Sequence, residues 1–140
     1  MVNFLDTNVF VRYIAGDDEI KTHACGAFFR RLTEGSEIAM TSEAIVAEVV
    51  FVLSSKRLYA LPASEITARL RPLVSITSLR IQGKERVIRA LAVYAERPFL
   101  GFEDALIVAH LEGSASAQVV SYDRHFDRVP GVQRIEPPPL

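Results

Sequence analysis

The sequence has no tryptophan, one cysteine, two methionines and three histidines among 140 residues. A lone cysteine, Cys25, excludes an internal disulfide and a thiolate cluster for zinc. Within Ala24-Cys25-Gly26-Ala27-Phe28-Phe29 it reads as a small core residue on a helix. No pair of histidines stands at zinc-ligand spacing. No apolar run approaches the roughly 18 residues of a membrane span, so no membrane association is expected. The first residues lack the basic segment and long apolar stretch of a signal peptide, and a cytoplasmic location is expected. Internal repeats are absent, and Pro137-Pro138-Pro139 is the one low-complexity stretch. A net charge of −1 argues neither for nor against nucleic acid, because whole-chain charge hides local patches.

What is present is a globular composition, 49% hydrophobic and 24% charged, in a length that suits one domain over residues 1–140. Val2, Phe4 and Leu5 predict a short buried strand that stops at Asp6, and Asp6-Thr7-Asn8 reads as a turn and helix start. Val9, Phe10, Tyr13 and Ile14 then recur at the spacing of an apolar helix face. Further helices are predicted over Ile20 to Leu32, Glu43 to Lys56, around Ile66, Leu70 and Leu73, over Lys84 to Glu96, and from Phe102 or Glu103 to Leu111. Pro72 is expected to kink or stop the fourth of these six. Strands are expected over Ile38 to Met40, Ser75 to Ile81 at a sheet edge, Gln118 to Tyr122 and Val132 to Ile135, with a turn or short helix from Asp123 to Phe126. Strands separated by helices predict an α/β fold with a parallel sheet of four to five strands and helices on both faces. If the fourth strand returns beside the first, Asp6 and Asp123 end neighbouring strands at the edge where such sheets bind ligands.

Acids stand in or beside apolar segments at four places, Asp6, Glu48, Asp104 and Asp123. Glu48 has Ala44 and Ile45 one turn before it and Phe51 and Val52 one turn after, which suggests a carboxylate on a buried face. Asp104 is followed by Ala105, Leu106, Ile107 and Val108, with Glu103 as a rival beside it. Asp123 follows Val119-Val120-Ser121 across Tyr122, and Asp127 is a weaker candidate. Taken singly, each has a plain structural reading as a helix cap, a first-turn acid or a turn residue. Together they form an oxygen-only donor set, which selects hard cations such as Mg²⁺ or Mn²⁺ and suits phosphodiester hydrolysis. A haloacid-dehalogenase-type phosphatase would need a second aspartate at position 8, where Asn8 stands. If the four acids converge, their mutual repulsion should raise one or more of their pKa values.

At these residues the chain resembles the PIN-domain ribonucleases and, in size and layout, the VapC toxins of bacterial toxin–antitoxin pairs. The matching pieces are Phe4-Leu5-Asp6-Thr7-Asn8, Thr41-Ser42 with Ala47-Glu48-Val49, Phe102-Glu103-Asp104-Ala105, and Val120-Ser121-Tyr122-Asp123 with Phe126. The resemblance implies a PIN-like three-layer α/β/α fold and a single PIN domain. It makes Asp6, Glu48, Asp104 and Asp123 the catalytic and metal-binding acids, with Thr7, Asn8 and Ser121 as supporting polar groups. It also implies an endoribonuclease dependent on Mg²⁺ or Mn²⁺, an RNA substrate, a cognate antitoxin of VapB type and a homodimer. The alternative is a catalytically inactive PIN-fold module that binds RNA or serves as a scaffold.

Overall fold

In the computed structural model, which describes residues 1–140, short strands alternate with longer helices. The order is β1 (Asn3–Phe4), α1 (Thr7–Ala15), α2 (Glu19–Glu34), β2 (Ala39–Thr41), α3 (Glu43–Ser54), α4 (Ala63–Val74), β3 (Leu79–Ile81), α5 (Lys84–Glu96), α6 (Phe102–Glu112), β4 (Val119–Val120) and β5 (Arg134–Ile135). Two 3-10 helices, Pro98–Leu100 and Arg124–Arg128, flank α6 and β4. The first three α-helices start at polar caps whose side chains accept backbone N–H bonds: Asp6 from Thr7, Asp18 from Lys21 and Ser42 from Ile45. In α4, Pro72 cannot donate to the carbonyl one turn back, yet the helix runs on to Val74 before Ser75 closes it.

The chain is α/β with a parallel sheet, but that sheet has three strands, in the order β1-β2-β3, rather than four to five. Asn3 pairs with Ala39, Phe4 with Met40, and Met40 with Arg80. β4 and β5 form a separate parallel pair: Val119 donates to the Gln133 carbonyl at 2.9 Å and Ser121 to the Ile135 carbonyl at 2.9 Å. β1 and β4 are each two residues long and share no ladder, so the predicted single sheet is divided between them. The expected strand from Ser75 shrinks to Leu79–Ile81, because Ile76 folds back to the Leu73 carbonyl as the end of α4.

Alternation along the strands sets the two faces apart. Leu5, Ala39, Thr41, Leu79 and Ile81 point inward and are buried, packed with Phe10, Leu53, Ile66, Leu91 and Phe126 of the single apolar core. Burying side chains of this size stabilises by about 1.5 to 3 kcal/mol each before chain entropy is subtracted. The opposite face carries Phe4, Met40 and Arg80, and there the helices leave the sheet open. Phe4 is 53% exposed and Met40 42%, so the first strand is not the buried one its composition predicts. Thr41 is a buried hydroxyl, and it donates to the Leu5 carbonyl at 2.9 Å. With the Leu5 N–H on the Met40 carbonyl at 2.8 Å, this bond locks the ends of β1 and β2 together just before Asp6.

Candidate active site

Asp6 leaves β1 in extended backbone and caps α1, its Oδ1 accepting the Thr7 N–H at 2.7 Å. The side chain is exposed, and its Oδ2 has no protein partner. Thr7 is half-buried and Asn8 exposed beside it. Glu48 lies in the second turn of α3, whose buried stripe is Val46, Val49, Val50 and Leu53. That stripe passes Glu48 by. Ala44 and Phe51 on its own face are exposed, Phe51 by 62%, so Glu48 stands in solvent rather than on the buried face its neighbours suggest. An ionised side chain is far cheaper to keep there.

Asp104 sits in the first turn of α6, after Gly101 turns the chain at φ 77, a left-handed value that suits glycine. It is half-buried, whereas Glu103 next to it is exposed. Asp123 caps the 3-10 helix Arg124–Arg128: its Oδ1 accepts the His125 N–H at 2.9 Å, and His125 Nδ1 lies 3.3 Å from the same oxygen. Ser121 supports it directly, since its Oγ accepts the Asp123 N–H at 2.9 Å.

Asp104 and Asp123 come close enough to act on each other. Burial first, and then the charge of Asp123, push the Asp104 carboxyl above its usual range; His125 works against this and Glu103 adds to it. Of the four acids expected to converge, only Asp123 acts on Asp104 in this way; Glu103 is not one of the four, and neither Asp6 nor Glu48 contributes. No three carboxylates or imidazoles stand close enough to enclose a metal ion among themselves. α3 and the start of α6 instead border one cleft of about 250 Å³, lined by Ala47, Phe51, Tyr94, Phe102, Glu103 and Asp104 among others. Glu48 is not among the residues that line it.

Asp127 is held elsewhere. Arg134 donates to it through Nε at 2.9 Å and Nη2 at 3.2 Å, which lowers the Asp127 pKa. The same guanidinium donates through Nη1 to the Ser121 carbonyl at 2.8 Å and to Glu136 at 2.9 Å. Arg134 therefore ties the end of β4, which presents Asp123, to β5 and to the 3-10 helix. The sequence carries no clear signal for it, since Gln133 and Glu136 beside Arg134 and Ile135 read as an ordinary polar edge. Arg128 stacks 4.0 Å over the Phe99 ring, whose edge also meets His125. This packs the Asp123 segment against the approach to α6.

The PIN domain family matches residues 4–132, nearly the whole length of the chain. The chain belongs to the PIN-domain family. No curated protein matches it beyond that. PIN domains are typically metal-dependent nucleases, so membership supports a hydrolase at that coarse level. None of its helices is long and apolar enough to cross a membrane.

Proposed function

We propose that this protein is a metal-dependent endoribonuclease, the toxin of a type II toxin–antitoxin pair of VapC type, and that residues 1–140 form one PIN domain. The observation that carries the proposal is that Asp104 in the first turn of α6 and Asp123 at the cap of the 3-10 helix are both half-buried, with the charge of Asp123 acting on Asp104 and no arginine paired to either. Such a pair is costly by itself and favourable around a cation. The donor set fits Mg²⁺ or Mn²⁺, because these ions are commonly held through one or two carboxylates with water completing the shell. Asp104 and Asp123 are the residues that would hold it; the likeness to PIN ribonucleases adds Asp6 and Glu48, which stand in solvent and do not close a group of three around an ion. When bound, the ion supplies a hydroxide near neutral pH and polarises the phosphoryl oxygens.

The chain's own part is positioning. Thr7 occupies one oxygen of Asp6 and leaves the other free, and the His125 N–H does the same for Asp123. Ser121 and Arg134 fix the backbone from which Asp123 projects. The apolar cleft between α3 and α6, rimmed by Glu103 and Asp104, suits an amphipathic helix carrying an arginine, the way an antitoxin would block the acids in place of metal. The homodimer rests on the likeness to VapC toxins. Cleavage of single-stranded RNA with Mn²⁺ and with excess chelator tests the activity. Cutting that needs free metal is expected; cutting at full rate in chelator overturns it, and binding without cutting favours the scaffold alternative. A toxin role further requires that the product of a neighbouring gene form a stable complex that lacks activity.

A further inference from the structure

On the open face of the sheet, a cleft of about 630 Å³ lies at the carboxyl ends of the strands, lined by Phe4, Met40, Ser42, Glu43, Arg80 and Arg86 among others. Five arginines elsewhere are paired: Arg12 with Asp17, Arg31 with Glu37, Arg69 with Glu65, Arg89 with Glu112 and Arg134 with Asp127. Arg80 and Arg86 have no acid within ion-pair distance, as is also true of Arg57 and Arg128 on other segments, and what sets them apart is that both line this one cleft, which Glu43 also borders. Arg86 Nε is buried and has no hydrogen-bond partner. Its guanidinium folds back over Gly83, so closely that a Cβ there would stand 2.5 Å from Nη2. Gly83 is the N-cap of α5, which has no side-chain cap. A cation is thereby held against the positive end of a helix dipole, the unfavourable end for it. The N-terminus of α3, through Ser42, Glu43 and Ala44, opens on the same cleft.

Two guanidinium groups without an acid partner and the N-terminus of α3 line one cleft, which suits an anion with several oxygens. Register says where that anion lies relative to the acids. Phe4, Met40 and Arg80 stand side by side across β1, β2 and β3. Asp6 follows Phe4 by two extended residues and so projects on the same side. With strands about 4.8 Å apart, Arg80 is roughly 10 Å across the sheet from the strand that ends in Asp6.

We propose that this cleft is a phosphate subsite: Arg80 and Arg86 hold a backbone phosphate of the RNA chain that passes Asp6, and so define the path of the substrate across the sheet edge. The proposal rests on the nuclease reading for the role of Asp6, and its test does not depend on cleavage. Binding of a fluorescein-labelled single-stranded RNA is followed by anisotropy in chelator over a salt series, for the parent, Arg80→Gln, Arg86→Gln, the double variant and Arg57→Gln, a control on another surface. Removing one guanidinium–phosphate pair should lower the slope of log K against log salt by about 0.7, and the double variant should bind about tenfold more weakly near 0.1 M salt. Arg57→Gln should match the parent. Arg80 is exposed, so its variant stays informative if Arg86→Gln folds poorly. Parent-like slope and affinity in Arg80→Gln and in the double variant overturn the subsite, as does an equal loss in Arg57→Gln. If inorganic phosphate raises the parent's melting temperature while RNA binding ignores both arginines, the cleft takes free phosphate and the RNA assignment is overturned. Loss of RNA binding in the arginine variants of a parent that cuts nothing supports the subsite and removes the nuclease reading.

Discussion

The two halves of the proposed acidic site are built differently. Asp104 and Asp123 are half-buried, close enough to raise the proton affinity of Asp104, and supported by Ser121, His125 and Arg134. Asp6 and Glu48 stand in solvent, one as a helix cap and the other on the outer turn of α3. Like charges in the first half store unfavourable energy that a cation relieves; those in the second are already screened by water. The same residue type therefore has different consequences on removal, and stability measured without metal separates the halves where activity does not.

The largest effect is on catalysis. Asp104→Asn, Asp123→Asn and Asp6→Asn are each expected to lower the RNA-cleavage rate on the order of a hundredfold or more, since each removes a charge from the reacting centre. Asp6→Asn should do so at unchanged metal-free stability, because asparagine caps as well as aspartate. A Mn²⁺-supported cleavage assay beside thermal melts checks both parts. A fully active Asp6→Asn variant would confine the site to the crowded half.

Next in size is the support. Arg134→Ala removes four hydrogen bonds that hold Asp127, Ser121 and Glu136. It should lower the melting temperature and reduce metal affinity about tenfold, the usual cost of losing a group that orients a ligand. Titration of the variant with Mn²⁺ reads this, and an unchanged affinity would show that Asp123 needs no such tether.

Smaller still is the pH dependence, which takes opposite signs at two acids. Asp104 binds its proton more tightly in the fold than in the unfolded chain, so its burden is absent below its ordinary pKa of 3.8 and grows as pH rises through the raised value. Without metal, Asp104→Asn should melt above the parent at neutral pH and converge with it in acid. Asp127 is held below its ordinary value by Arg134. Its stabilisation is present above pH 3.8 and is lost as pH falls through the lowered value, so Asp127→Asn should melt below the parent at neutral pH. Glu48→Gln should leave the melting curve unchanged. Least of all, Glu103→Gln should alter cleavage by no more than about twofold, as an exposed first-turn acid that acts on Asp104 through charge alone.

Much of this architecture was readable in the chain. The caps Asp6 and Ser42, the glycine before α6 and the apolar stripe of α5 are local features, and the helices form where those features put them. What failed was long-range. Phe4 carries the composition of a buried strand, yet nothing covers its side of β1, because burial depends on which element packs there. Val2 to Leu5 and Gln118 to Tyr122 read as partners, whereas each strand pairs elsewhere. Glu48 shows the same limit on a helix: apolar neighbours identify a face, and only the packing of Val46, Val49 and Leu53 tells which face turns inward. The approach of Asp104 to Asp123 joins residues from two elements and has no local signal; the sequence groups them only through their shared acid chemistry and the likeness to PIN ribonucleases.

The most direct test of the carboxylate site is the Mn²⁺-induced shift in melting temperature of the parent and of Asp104→Asn at neutral pH. The expected result is a clear rise for the parent and little or none for the variant, which should start from the higher metal-free melting temperature. An Asp104→Asn protein that melts no higher than the parent without metal and gains the same stabilisation from Mn²⁺ would contradict the account.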